Sequence, residues 1–203
     1  MTVIPERLPL QLFASVLALA GACSTANVTA WAEDDHVRGQ STAAVTLIEY
    51  GDNQCPPCSN SARDVERLLE EYPRDVRFIY RHFPTRRHRN AVAAAKAAEA
   101  AERQGQFWQM HASLFANQQD WYGVARPEQN FVRYARQLRL DDQRFREALA
   151  APELDRRIRS SHESGRDVSV RGAPAFFLNG KRLIPPPLTY DALRRDVARA
   201  LTQ

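Results

Sequence analysis

The sequence predicts an α/β domain in which one sheet is interrupted by an all-helical insertion. Two short apolar runs, 46–50 and 76–82, flank a helical segment, which is the pattern of a βαβ unit with parallel strands. Strand signals return only near the C-terminus, and the residues between the two strand regions have helical periodicity throughout. These two observations favour a single sheet built from both ends of the chain.

The N-terminal part of the sheet is bounded by residues that break regular structure. A polar stretch, 51–54, follows the first strand, and apolar residues then recur at helical spacing in a helix that must end before Pro73. Pro84 closes the second strand. We therefore expect strand, helix and strand to form one continuous unit.

The middle and the end of the chain are assigned in the same way. The alanine-rich segment 91–103 consists of strong helix formers and ends at Gly105. A hairpin of 175–178 and 181–184 is predicted around Asn179-Gly180, a dipeptide typical of two-residue turns, and the prolines 185–187 end it. Further helices are predicted at 107–115, from Pro127 to 138, at 141–150, at 152–164, and from Thr189 or Asp191 onward.

The first 32 residues differ from the rest and predict a signal peptide, which leaves 33–203 as the folded domain. Arg7 precedes an apolar run of 13 residues, 8–20, which is short for a membrane span, and Ala30-Trp31-Ala32 fits a cleavage site. Two alternatives stay open: the segment is retained as an anchor, or Cys23 is lipidated after cleavage. Each of the three places the domain outside the cytoplasm.

The composition is that of a soluble globular protein. Among 203 residues, 44% are hydrophobic and 26% are charged, which argues against a disordered chain or a polytopic membrane protein. The net charge of +4 comes almost entirely from arginine, but no nucleic-acid-binding motif is present and basic residues alternate with acidic ones. We therefore expect no nucleic-acid partner, and we interpret the run Arg-Arg-His-Arg at 86–89 as loop charge in solvent, with added positive potential near the reactive site as the alternative.

The cysteine count changes once the leader is removed. Cys23 is lost with the leader, and Cys55 and Cys58 are left. An oxidising compartment permits disulfides, but closing so short a loop restrains the unfolded chain by only about 2 kcal/mol. A structural cross-link would join residues farther apart, so the pair is interpreted as a redox switch.

The spacing of the pair fits thiol chemistry at the start of a helix. Residues three apart share a helix face and lie close enough for a disulfide, and Pro56 is tolerated because the first turn needs no N–H donor there. Unpaired N–H groups and the positive end of the helix dipole stabilise a thiolate on Cys55. We predict that Cys55 is the nucleophile and that Cys58 resolves the mixed disulfide, both at the exposed tip of the helix.

Metal binding is the main alternative for the two thiols. A zinc site needs four ligands, usually from paired motifs, and the sequence has no second cysteine pair. Cu(I) held by two thiolates is the version of this alternative that stays open. We expect no metal and no cofactor, because the histidines show no ligand spacing that pairs with the motif: His36, His82, His88, His111 and His162.

Five segments of the sequence, taken in order, form a recognisable series. They are LIEYGDNQCPPC at 47–58, YRHFP at 80–84, QGQFWQMH at 104–111, LFANQ at 114–118 and GAPAFFLNG at 172–180. Together they resemble the DsbA-like thiol:disulfide oxidoreductases, a family with a thioredoxin-like fold and a helical insertion. The resemblance implies thioredoxin-like parts at about 41–84 and 166–203 and an insertion at about 85–165.

The resemblance also implies a substrate-binding loop. Pro174 is expected to be a cis-proline that packs against the active-site disulfide. Ala173 is expected to offer its backbone to an extended substrate strand, with Pro56 and Pro57 alongside. Alanine at this position leaves no polar side chain to select the substrate.

Glu49, six residues before Cys55, corresponds to the buried acid of the resembled fold, where it would exchange a proton with Cys58. The alternative is an ordinary edge-facing carboxylate paired with an arginine. We interpret His82, at a strand end, as a structural hydrogen-bonding residue, with a position near the cysteine motif as the alternative. Three aromatic residues are assigned to the core of the insertion: Phe107, Trp108 and Phe115.

The sequence thus predicts an exported enzyme that acts as a monomer and introduces disulfides into reduced or misoxidised exported proteins. A membrane redox partner is expected to recycle it. Three alternatives remain at this stage: a reductase or isomerase of the same fold, a metallochaperone-type module that uses the same thiols, and a peripheral interaction domain anchored by the leader.

Overall fold

The computed structural model describes residues 35–184 and 189–202. The predicted leader with Cys23, and the prolines predicted to end the hairpin at 185–187, lie outside the described residues. Among the residues described, no helix is both long and apolar enough to cross a membrane.

A five-stranded sheet lies at the centre of the fold, in the order β1-β3-β2-β4-β5. Strands β2 and β3 run parallel, as the predicted βαβ unit requires, and every other neighbouring pair is antiparallel. All seven residues of β2 are buried because strands flank it on both sides. The strands are β1 (His36–Arg38), β2 (Val45–Gly51), β3 (Val76–His82), β4 (Ala175–Leu178) and β5 (Lys181–Arg182).

One helix connects the two parallel strands, six described helices follow between β3 and β4, and a last helix ends the described fold. This arrangement confirms the α/β fold class, a thioredoxin-like sheet interrupted by helices. The helices are α1 (Pro56–Glu71), α2 (Ala91–Glu102), α3 (Phe107–Ala116), α4 (Gln118–Trp121), α5 (Glu128–Gln137), α6 (Asp142–Ala150), α7 (Pro152–Asp167) and α8 (Tyr190–Ala200).

The two faces of the sheet are covered by different elements. On one face, apolar side chains of α1, α8 and the inserted helices form a continuous core with Leu47 and Phe78. On the other face, α7 approaches closely at Gly165, where a Cβ atom would lie 2.8 Å from the Phe83 ring and 2.9 Å from the Tyr50 ring. Glycine is therefore required at this contact, and the sheet is buried on both faces.

The structure differs from the sequence prediction at three short elements. Strand β1 and helix α4 were not predicted, because three and four residues give too little periodicity to detect. Strand β5 is shorter than predicted: Leu183 N–H still donates to Phe176 O, but Ile184 is 75% exposed. Pro185 has no N–H with which to continue the ladder, so the strand ends early.

The turn and cap signals are located as the sequence predicts. Asn179 and Gly180 have positive φ angles of 47° and 80°, as a two-residue hairpin turn of this type requires. The Thr189 side chain accepts a hydrogen bond from the Ala192 N–H, so Thr189, rather than Asp191, caps the last helix.

Candidate active site

The cysteine pair lies at the start of α1, the helix that follows β2. It is therefore located beside the edge of the sheet at which β2 ends. Cys55 is the N-cap residue, with extended backbone angles, and Pro56 and Pro57 occupy the first helical turn. The Cys55 N–H donates to the Asp52 carbonyl at 3.0 Å, which closes a tight turn between strand and helix. Cys58 follows within the first turn, so both thiols lie beside the unpaired N–H groups of the helix terminus.

The thiols are less accessible than the sequence prediction of an exposed helix tip. Cys55 is 3% exposed and Cys58 is fully buried, because Phe115 of the insertion and Ala173 pack against them. Cys55 nevertheless lines an open surface groove of about 600 Å³. A substrate can therefore approach Cys55 through the groove, whereas Cys58 does not line it.

The two thiols have opposite acidities. A hydrogen bond with Cys58 lowers the pKa of Cys55 and outweighs burial, which acts to raise it. Burial raises the pKa of Cys58 well above its usual range, and the hydrogen bond with Cys55 and the charge of Glu49 add to this effect. The pair can thus hold a thiolate on Cys55 while Cys58 keeps its proton.

Glu49 lies in the middle of β2 and is 1% exposed. Burial raises the pKa of Glu49 to about 8, with a smaller contribution from Cys55. Its Oε1 atom has no hydrogen-bond partner among the described residues. Since β2 is a central strand, the alternative of an edge-facing carboxylate paired with an arginine is wrong.

The loop before β4 meets the cysteine pair from the other side. The peptide bond between Ala173 and Pro174 is cis, and the Cys55 thiol donates to the Ala173 carbonyl at 3.3 Å. The structure therefore brings together Cys55, Ala173 and the motif prolines. Substrate binding by this loop stays a prediction.

A polar network fixes the turn that leads into the motif, and the sequence prediction missed it. The buried Asp52 carboxylate accepts hydrogen bonds from the Gln54 N–H at 2.8 Å and from the Thr85 N–H at 2.9 Å. His88 Nδ1 lies 2.7 Å from Asp52 Oδ2. The available signal was the uninterrupted polar stretch at 51–54 between a buried strand and the motif.

Two glutamines connect the same turn to the insertion. Gln54 Nε2 donates to Tyr122 O at 2.6 Å, and the Asn90 N–H donates to Gln54 Oε1 at 2.7 Å. Gln118 Nε2 donates to the carbonyls of Asn53 at 2.8 Å and of Cys55 at 3.2 Å. The insertion therefore holds the backbone of the reactive turn in place.

A second buried group, which we call the Glu99 cluster, consists of Glu99, His36, His82 and Arg157. Glu99 Oε1 lies 2.8 Å from His36 Nε2 and 3.1 Å from His82 Nε2, the latter without hydrogen-bond geometry, and Arg157 Nε lies 2.7 Å from Glu99 Oε2. The donor atoms of Glu99 and the two histidines lie within 4.8 Å of one another, as a metal site would require. However, Arg157 already neutralises the carboxylate, so the cluster is complete without a cation.

The remaining sequence assignments are resolved by burial. Phe107 and Phe115 are 1% and 7% exposed and belong to the core, and Phe115 also packs against the cysteine pair. Trp108 is half-buried against the same core. The run at 86–89 is more than loop charge in solvent, because Arg86, Arg87 and His88 line the groove beside Cys55.

Comparison with known proteins agrees with this geometry. A family model described as Thioredoxin matches residues 32–198. The chain belongs to this thioredoxin family. Among solved structures, a thioredoxin-like oxidoreductase from Silicibacter pomeroyi DSS-3 is 27% identical, with a TM-score of 0.71, and the match covers 85% of this chain and 95% of that one. The family and the dithiol site together make the chain a thiol:disulfide oxidoreductase.

Two further comparisons extend this result. The fold matches α-DsbA1 from Wolbachia pipientis with a TM-score of 0.75 over 88% of this chain and 98% of that one, at 18% identity, so the fold is DsbA-like. A curated protein named Na(+)/H(+) antiporter NhaA 3 from Salinispora tropica is 45% identical over 149 residues, which are 73% of this chain and 22% of that protein. The chain thus spans about a fifth of that relative's length.

Proposed function

We propose that this chain introduces disulfide bonds into exported proteins by thiol–disulfide exchange at Cys55 and Cys58. The proposal depends above all on the opposite acidities of the two thiols. A thiolate stabilised at Cys55 favours the dithiol form, and the corresponding disulfide is for that reason a strong oxidant. A strong oxidant transfers its disulfide to reduced clients.

The exchange proceeds in two steps. A client thiolate attacks Cys55 Sγ of the oxidised pair, the bond between the two cysteines breaks, and Cys58 leaves. A second client thiolate then attacks the client sulfur of the mixed disulfide, and Cys55 leaves as the stabilised thiolate. The client loses two electrons and forms a disulfide, while the enzyme pair gains both electrons. When the second client thiol is slow, Cys58 resolves the mixed disulfide by attacking Cys55.

Glu49 is proposed to move the proton that Cys58 needs. Because the pKa of Glu49 is raised to about 8, its carboxyl is protonated at neutral pH. It can therefore donate to Cys58 as the thiolate leaves, and the raised pKa of Cys58 favours this transfer. Ala173 and Pro174, with Pro56 and Pro57, are proposed to align the extended client segment beside Cys55.

Export and recycling complete the proposal. The apolar run at 8–20 and the small residues before position 33 support a leader, and release of the domain outside the cytoplasm supplies reduced clients. After each cycle the dithiol must be reoxidised, and we propose a membrane redox protein as the electron acceptor.

The test starts from the full chain in its disulfide form, mixed with reduced, unfolded ribonuclease A. We expect disulfides to form in the ribonuclease in proportion to the oxidised chain, and Cys55→Ser to abolish this transfer. Cys58→Ala cannot form the disulfide itself, so it is mixed instead with ribonuclease A that carries scrambled disulfides: its Cys55 thiolate attacks a client disulfide, a client thiolate leaves, and mixed disulfides are expected to accumulate on non-reducing gels. Full activity of the Cys55→Ser chain would refute the proposal.

The reduction potential decides the direction of electron flow. A potential nearer about −120 mV than about −270 mV, measured against glutathione, supports the oxidase, and the reverse supports a reductase or isomerase. Tight binding of one Cu(I) by the dithiol, without any catalysis of exchange, would favour the metallochaperone-type module instead.

A second candidate function is redox control of a membrane transporter. It is favoured by the 45% identity to part of a protein named a sodium/proton antiporter. The test removes the matching segment from the Salinispora tropica protein, reconstitutes the remainder in vesicles, and adds this chain as disulfide or dithiol. Sodium-driven proton movement that differs at least twofold between the two forms supports the candidate, and equal movement rejects it.

A further inference from the structure

The groove beside Cys55 is built from three separate parts of the chain. The motif supplies one wall, the segment after β3 supplies another, and the end of α7 with the loop before Pro174 supplies the third. Phe83 and Val170 are buried and provide apolar surface. Four arginines with exposed side chains surround this apolar surface: Arg86, Arg87, Arg166 and Arg171.

The charge of the groove is not balanced by acidic residues. Within residues 35–184 and 189–202, no carboxylate lines the groove and none of its four arginines forms an ion pair. The Asp52 side chain is fully buried and is occupied by Thr85 and His88. Other surface arginines are paired with carboxylates: Arg38 with Glu66, Arg103 with Glu153, Arg133 with Asp120, and Arg194 with Glu71.

The two histidines of the groove do not change this balance. His162 stacks on Phe83, with ring centroids 4.3 Å apart, and burial together with the charge of Arg166 lowers its pKa. His88 is held by the Asp52 carboxylate. The fixed charge of the groove is therefore that of guanidinium groups, which stay protonated at every accessible pH.

We infer that this groove selects client segments in which acidic residues flank the reactive cysteine. The inference rests on the proposed function and names its substrate class. A client strand that places its cysteine at Cys55 extends along the groove, and its alternate side chains point toward the arginines. Aspartate or glutamate at these positions accelerates encounter by electrostatic attraction, and the effect weakens as salt screens it.

The experiment uses three synthetic peptides with one cysteine each, identical except that two Asp, two Ser or two Lys flank it. The oxidised full chain is mixed with each peptide, and mixed-disulfide formation is followed by acid quench and mass spectrometry. Each rate is divided by the rate of the same peptide with a neutral small disulfide, which corrects for differences in thiol acidity. We expect the acidic peptide to react about 10-fold faster than the basic one at low salt, and about equally fast in 1 M NaCl.

Two double variants locate the selectivity. Arg86→Glu with Arg171→Glu leaves two arginines and two glutamates in the groove and is expected to abolish the preference, whereas Arg144→Glu with Arg195→Glu changes the net charge equally on exposed residues outside the groove and is expected to keep it. If the first double variant does not fold, Arg87→Ser with Arg166→Ser replaces it and is expected to reduce the preference.

Equal corrected rates for the three peptides, or the same selectivity in the groove variant and its control, would overturn the inference. Failure of the proposed function has a different signature: the wild-type chain would form mixed disulfides with none of the three peptides.

Discussion

Two buried glutamates, Glu49 and Glu99, show how the surroundings of one residue type determine its state. Glu49 is 1% exposed and Glu99 is 3% exposed, so both are removed from water to the same degree. Burial raises the pKa of Glu49 to about 8. Burial acts in the same direction on Glu99, but the contacts with His36 and His82 outweigh it and hold the pKa of Glu99 well below its usual range.

The difference separates a chemical site from a structural one. Within the part of the chain that the structure describes, Oε1 of Glu49 has no hydrogen-bond partner, and Glu49 lies close enough to the dithiol to raise the pKa of Cys58. Glu99 lies on α2 and joins the insertion to β1, to β3 and to α7 through its three partners. A buried acid without cationic partners can exchange a proton, whereas a buried acid paired with cationic groups fixes neighbouring elements in place.

Glu99→Gln is expected to have the largest effect on stability. The substitution leaves Arg157 and two histidines around a neutral amide, so the free energy of unfolding should fall by about 3 kcal/mol at pH 7. Urea denaturation measures the loss. Glu102→Gln, on the exposed side of the same helix, is the matched control and should change stability little. A loss no larger than the control's would show that the Glu99 cluster does not stabilise the fold.

Glu49→Gln is expected to stabilise the protein while slowing exchange. The pKa of Glu49 is about 8 in the folded chain and 4.5 in the reference state. The contribution of this carboxyl to the free energy of unfolding is therefore fully present below pH 4.5 and is lost as the pH rises through 8. Removing the carboxyl should therefore raise the free energy of unfolding by about 3 kcal/mol at pH 7, and by nothing at pH 4.

The same variant tests the proposed role of Glu49 in proton transfer. Release of Cys58 at neutral pH should slow, and the step in the rate near pH 8 should disappear from the pH profile. An unchanged profile would leave Glu49 as a purely destabilising group without a part in the exchange. Glu102→Gln again serves as the control.

The buried histidines in and near the Glu99 cluster should produce an acid limb in the stability profile, which is a loss of stability as the pH falls below 6.5. Burial lowers the pKa of His82 and lowers that of His111 well below the usual 6.5. The unfolded chain then binds more protons than the folded one below pH 6.5, so stability falls as the pH drops. We expect a loss of about 1 to 2 kcal/mol between pH 6.5 and 5.5.

Glu49 acts with the opposite sign in this pH range, so it masks part of the acid limb. The limb should therefore be steeper in the Glu49→Gln variant than in the wild type, which urea denaturation at four pH values can resolve. Parallel profiles for the two chains would contradict the raised pKa of Glu49.

The cysteine pair and Glu49 could be predicted from sequence, because these residues are close together in the chain. Cys55 and Cys58 share one helical turn, and Glu49 precedes them on the adjoining strand. The degree of burial could not be predicted, since Phe115 and Ala173 cover the thiols from elements 57 and 115 residues after Cys58. The expectation of an exposed helix tip was wrong for that reason.

The Glu99 cluster could not be predicted at all. Glu99 stands in an alanine-rich helix, where a glutamate is typical of the solvated face. Its partners come from a three-residue strand, from the end of β3 and from α7, and only the tertiary fold brings them together. His82 was interpreted as a structural hydrogen-bonding residue, and in the structure its Nε2 atom lies 3.1 Å from Glu99 Oε1 without hydrogen-bond geometry.

Asp120→Asn is expected to have the smallest effect, and it tests whether burial is the decisive variable. Asp120 pairs with Arg133 at 3.1 Å, and both side chains are about half exposed, at 52% and 54%. Water screens such a pair, so the free energy of unfolding should change by less than about 0.5 kcal/mol. Urea denaturation alongside Glu99→Gln gives the direct comparison. If Asp120→Asn were as damaging as Glu99→Gln, ion pairing alone, without burial, would explain the stability that the Asp120 and Glu99 carboxylates contribute. The contrast between Glu49 and Glu99 could then no longer be attributed to what surrounds a buried charge.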